Sequence, residues 1–208
     1  MSGEGRLRMT TTSILIRVGA LANMATGILF VVCALDFRLV EVLMGIYPNI
    51  ENFNSLVVVM FVVAVLLIPV GLVGFHALQK ERYRRLGRTG FYVGVVGSLV
   101  VALATPIAMG FLSQFGLPSP SWLPMVPIVV GPISMLVGFV LLGAATLKAG
   151  VLPRWCAIAL MGALPVSLAY TPFDILTGVI LFGLVWMALG YTLWRRRNTI
   201  AGELSRVR

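Results

Sequence analysis

The chain is poor in the residues that usually carry chemistry. It has one histidine, two cysteines and seven acids among 208 residues. The single histidine, His76, is too few for bis-histidine haem ligation or for the usual His- or Cys-rich zinc site. It reads as an interfacial residue or a helix-end cation. Cys33 and Cys156 form no Cys-x-x-Cys pair, and no Gly-x-Ser-x-Gly, His-Glu-x-x-His or Walker sequence occurs. Serine-hydrolase, zinc-protease and nucleotide-motor chemistry therefore lack their characteristic arrangements. Charged residues make up only 11% of the chain, against about 25% in soluble domains. No Asp, Glu or Lys sits inside a long apolar stretch. That removes the mid-membrane carboxylates of proton pumps and the mid-helix lysine of retinal proteins. No catalytic site, metal or cofactor is expected.

What the chain has is apolar surface. Hydrophobic residues make up 59% of it, and mean hydropathy is +1.01. A water-soluble fold could not hide so much, so the solvent must be lipid. A span needs about 20 mostly apolar residues, and lipid-exposed sheet edges are excluded. Six stretches meet or approach this requirement: 13–35, 55–78, 89–113, 122–147, 155–171 and 173–194. The spacing predicts an all-α, polytopic membrane bundle of six transmembrane helices in a single domain, 1–208, with a basic tail over 195–208. The fifth stretch is short, and only Tyr170-Thr171-Pro172 separates it from the sixth. A start signal supports that break: Thr171-Pro172-Phe173-Asp174 offers a cap, a first-turn proline and an acid. The N-terminal apolar stretch contains Arg17 and is too long for a cleaved signal peptide.

The charges give this threading a direction. Net charge is +9, which in a soluble protein would point to nucleic acid. Here the cations flank apolar runs, so no nucleic-acid partner is expected. With six spans, Arg17, Arg82, Arg84, Arg85, Arg88, Arg154, Arg195, Arg196 and Arg197 all fall on one side. Of the sixteen Lys and Arg residues only Arg38 falls opposite. By the positive-inside rule both termini are cytoplasmic. The expected location is a bacterial plasma (inner) membrane, with these arginines contacting anionic lipid headgroups or a membrane-protein partner. The simplest role for arginines one turn into a helix is to snorkel to the phosphates and anchor the span. Tyr47 and Trp122 suit the outer aromatic belt, Trp155 and Trp194 the inner one. The first connection has room for a short interfacial helix over 37–46.

Three helix starts look alike: Leu15-Ile16-Arg17-Val18-Gly19, Leu86-Gly87-Arg88-Thr89-Gly90 and Leu152-Pro153-Arg154-Trp155-Cys156. Leu142-Gly143 with Lys148 parallels Leu189-Gly190 with Arg195. The chain reads as three repeated helical hairpins in parallel, an arrangement some transporters share. Through the Leu-x-Arg-x-Gly starts and the Leu-Gly…Leu-Lys turn it resembles a family of uncharacterised small six-helix membrane proteins from high-GC bacteria. That resemblance implies the fold and no activity.

Gly90, Gly94 and Ser98 lie on one helical face, the small-residue mode of membrane packing. It is expected to serve intramolecular packing ahead of dimerisation. Prolines at 69, 106, 127, 132 and 165 predict kinks, all but the first in the outer halves, that could splay the bundle there. The simpler reading, ranked ahead of it, is that membrane helices tolerate proline. Asn23, with Thr26 three residues on, is the candidate polar pathway. Its simpler role is an interhelical hydrogen bond. Two functions follow. The first is an accessory or assembly subunit of a membrane system. The alternative is a small transporter or channel for an apolar or weakly polar solute. A lipid-modifying enzyme ranks last, for want of motifs.

Overall fold

The computed structural model describes residues 3–44, 55–79, 85–106, 129–170 and 175–206. Six helices run through them: α1 (Gly3–Met44), α2 (Ser55–Gln79), α3 (Arg85–Pro106), α4 (Gly131–Ala149), α5 (Arg154–Tyr170) and α6 (Ile175–Arg206). α1, α2, α3, α4 and α6 each hold an apolar stretch long enough to cross a bilayer. α5 is apolar but has 17 residues, a rise of about 25 Å against a hydrocarbon thickness of about 30 Å. The chain is all-helical, and five apolar helices of this length mark it as membrane-embedded.

The surface shows the same solvent. Leu56, Leu103 and Ile158 are each more than 60% exposed, among exposed large apolar side chains on every helix, a far larger apolar surface than soluble proteins present in contiguous patches. Inside, Ile68, Leu72, Phe75, Phe139, Trp186 and Leu189 form the core.

The helices close into a ring in chain order: α1 packs on α2, α2 on α3, α3 on α4, α4 on α5, α5 on α6, and α6 back on α1. Successive helices alternate in direction. The first parts of α1, α3 and α5 therefore lie with the last parts of α2, α4 and α6. Arg17 stands over the Trp194 ring, and Gln79 reaches Thr146. Among the described side chains, Arg17, Arg85, Arg88, Lys148, Arg154, Arg195 and Arg196 all gather at this basic end. Asp36 sits at the other.

Small residues set the helix spacing. A Cβ on Gly138 would collide with the backbone of Gly94. A Cβ on Gly90 would stand 2.6 Å from Leu142 N, and one on Gly97 2.6 Å from Met135 N. The Gly90–Gly94–Ser98 face is thus used inside the protein, between α3 and α4. α1 meets α2 the same way, Gly19 against Gly74. Gly150, with φ +62°, ends α4. Its N–H donates to Thr146 O at 3.2 Å, and the left-handed turn needs a residue without Cβ.

Several boundaries differ from the sequence expectation. Among the described residues no separate interfacial helix follows the first span. α1 continues to Met44, because 36–44 contains neither Pro nor Gly to break it. The tail is also helical, as α6 runs to Arg206. Pro132 sits in the first turn of α4, where a missing N–H is harmless. Among the described residues Pro69 and Pro165 are interior to their helices. Tyr47, Arg82, Arg84, Trp122, Pro127 and the helix start at 171–174 lie outside the described residues. So does part of the segment predicted over 37–46.

Candidate functional site

Three features of the bundle have geometry that bears on function. The first is the half toward the basic end, which is packed through. Trp186 is fully buried, with its ring against Phe139 (centroids 5.6 Å apart) and Phe182 (5.9 Å). Leu72, Phe75, Leu142, Leu189 and Leu193 fill the space around it, none more than 1% exposed. Such edge-to-face aromatic packing fixes ring orientation as well as burying area.

Asn23 and Thr26 lie within this packing and line neither of the cavities described below. Both are fully buried. Asn23 nestles against Gly71 of α2, whose missing side chain makes the room. Neither end of its amide has a hydrogen-bond partner among the described residues. Thr26 Oγ1 donates to Ala64 O at 3.4 Å, a long bond tying α1 to α2. The two residues expected to mark a polar pathway are therefore brought together on the α1–α2 interface.

Sequence reasoning missed a second buried polar pair. Thr146 Oγ1 lies 2.8 Å from Leu142 O and 3.0 Å from the Gln79 amide oxygen. A hydroxyl has one proton, so it donates to only one of them. Turning the amide lets Gln79 donate to Thr146 Oγ1 while Thr146 donates to Leu142 O. Either way the far end of the Gln79 amide has no partner among the described residues. A Gln at the end of an apolar run gives no sign that it turns inward; the pairing spans 67 residues. Thr146→Val is expected to cost about 1–2 kcal/mol, since it strands the whole Gln79 amide. Adding Gln79→Leu should recover most of it, as a double-mutant cycle on detergent-solubilised protein would measure.

The second feature is an apolar cavity of about 220 Å³ at the end opposite the arginines. All six helices contribute, with Phe30, Phe61, Val101, Pro132, Leu164 and Phe182 in its wall. Phe30 stands edge-on to both Phe61 and Phe182, at 5.7 and 5.1 Å. Ser167 is its one hydroxyl residue, and that hydroxyl donates to Ala163 O at 2.7 Å. A cavity of about 150 Å³ suffices for benzene, so this one accommodates a ring or a short hydrocarbon segment. Pro132 is the one described proline in its lining.

The third feature is the basic rim. A pocket of about 340 Å³ lies between the start of α5 and the end of α6, lined by Pro153, Trp155, Tyr191, Thr192, Arg195 and Arg196. Arg17 packs its guanidinium 5.8 Å from the Trp194 ring, within cation–π range. Arg85, Arg88 and Arg154 are exposed at the same end. Arg197 continues α6. His76 stacks on Phe91 at 4.5 Å, half-buried near the rim. Cys33 and Cys156 are free and buried near opposite ends. Among the described residues no three His, Cys, Asp or Glu side chains converge. No family model matches the chain, and neither a curated protein nor a solved structure does.

Proposed function

We propose that the chain is a six-span protein of a bacterial plasma membrane, with both termini cytoplasmic, that acts as a non-catalytic accessory or assembly subunit. The packed half around Trp186 carries this reading. A conduit needs a wettable or openable route, and the described core there is mostly apolar and aromatic, with Asn23, Thr26, Gln79 and Thr146 as isolated buried polar groups. The six-span reading is supported by α5, which leaves the basic end at Arg154 and meets the start of α6 at Ser167 and Gly178. The orientation is supported by the gathering of described cations at one end. The three-hairpin repeat gains support from equivalent contacts. Gly19 on Gly74 and Asn23 on Gly71 in the first hairpin correspond to Gly90 on Leu141 and Gly94 on Gly138 in the second.

A subunit of this kind is expected to co-purify with a stoichiometric membrane protein from mild detergent. A monodisperse monomer without companion bands would count against it. The apolar cavity favours the alternative, a carrier of a small apolar solute. On that alternative, proteoliposomes should show uptake that Val179→Phe, which fills the cavity wall, abolishes with the fold intact. On the accessory reading there is no uptake to lose.

A further inference from the structure

We infer that the pocket between α5 and α6 is a binding site for one anionic phospholipid, its phosphate held by Arg195 and Arg196 and one of its tails laid along α5. The inference deepens the reading of the basic end as the face turned to the inner leaflet, and rests on it.

The headgroup end comes from charge and level. Arg195 and Arg196 line the pocket together with Tyr191 and Trp155. Tyr191 is 59% and Trp155 46% exposed, so both rings stand where a lipid can reach them. Aromatic rings with a polar edge settle at the headgroup level, and guanidinium forks match phosphate oxygens. α5 begins at Arg154, so its positive helix end faces the same pocket, and a negative group is favoured there. The described side chains of this end include seven cations. Basic pockets between helices at the cytoplasmic level are where anionic headgroups bind.

The tail comes from a stripe on α5. Trp155, Ile158, Gly162 and Val166 follow one another by three or four residues, so they share a face. Ile158 and Val166 are 61% and 44% exposed. Between them a Cβ on Gly162 would meet nothing within 4 Å. Most glycines in this protein sit against a neighbouring backbone or side chain; this one leaves a notch in a lipid-facing surface. The notch begins two turns below Trp155, where a chain leaving the pocket would descend. A free phosphate would use the arginines but not the notch, and this distinguishes a lipid from a soluble anion.

The test is fluorescence quenching of the full chain in micelles of neutral detergent, doped with phosphatidylglycerol or phosphatidylcholine brominated on the tails. The Trp155 contribution is taken as the difference from Trp155→Phe. The expected result is saturable quenching of Trp155 by the anionic lipid at low mole fraction. R195Q/R196Q should raise the half-saturating fraction about tenfold or more. Gly162→Leu should weaken quenching while leaving the helical content and elution volume unchanged. Quenching by both lipids alike, or indifference to the arginine pair, would overturn the site. Displacement by millimolar inorganic phosphate, with Gly162→Leu silent, would assign it to a soluble anion and overturn the lipid. Micelles have no leaflets, so a failure here is separate from a failure of orientation, which reporter tags on the two termini would reveal.

Discussion

Gly138→Leu is expected to be the most damaging single substitution in the described helices, lowering stability by about 3 kcal/mol. The backbone of α3 passes so close at Gly94 that even a methyl at 138 would overlap Gly94 N and Cα. A leucine there must push α3 and α4 apart. That separation would also loosen Gly90 against Leu142 and Gly97 against Met135, because all three contacts lie along one crossing. In lipid no hydrophobic gain drives two apolar helices together, so close packing supplies much of what holds them. The loss would be read as a drop in the thermal midpoint of detergent-solubilised protein, together with aggregation on size exclusion. Gly162→Leu is the control, since no atom stands near its position. A Gly138→Leu protein with an unchanged midpoint would mean that α3 and α4 do not meet through this face.

The same contacts define how far the sequence could be read. Long apolar runs are composition-level features, and the described helices lie within or across them, five of them long and apolar enough to cross a membrane. The cost of unpaired backbone in lipid leaves few alternatives once an apolar run is long enough. The gathering of cations at one end was legible for a related reason: it depends only on how many times the chain crosses. The small-residue face at Gly90, Gly94 and Ser98 was legible because four-residue spacing is fixed by helix geometry, and it packs within the chain.

What the sequence hides is which apolar residues face inward. Ile68 is fully buried and Ile28 is 50% exposed, yet both are isoleucines in apolar helices. In water, polarity separates the two faces of a helix. In lipid both faces are apolar, and no amphipathic pattern records the difference. The cavity bounded by Phe30, Phe61 and Phe182 was invisible for that reason, as was the burial of Trp186. The continuation of α1 beyond Asp36 leaves no mark in hydropathy. Charge alone ends the apolar stretch, while the hydrogen-bonded backbone runs on.

Asn23 brings the two halves of this problem together, and Asn23→Leu is expected to stabilise the protein by about 1–3 kcal/mol. The residue is fully buried, and both its amide oxygen and nitrogen lack a partner among the described residues. A buried amide in that condition retains the cost of leaving water without the compensating bonds. Leucine places three carbons where asparagine has its Cγ, Oδ1 and Nδ2, so the fit against Gly71 is largely kept while the polarity is removed. The expected sign is opposite to that of most core substitutions, which destabilise. The measurement is again the thermal midpoint, with Asn23→Ala beside it. Alanine removes the polarity but also the packing against Gly71, and should fall below leucine. If Asn23→Leu instead unfolds the protein, the amide must be engaging a polar group such as bound water. The α1–α2 interface would then be wet, which is the condition the polar-pathway reading of Asn23 and Thr26 requires. A more stable Asn23→Leu protein would remove the last support for that pathway and leave the packed half as a barrier.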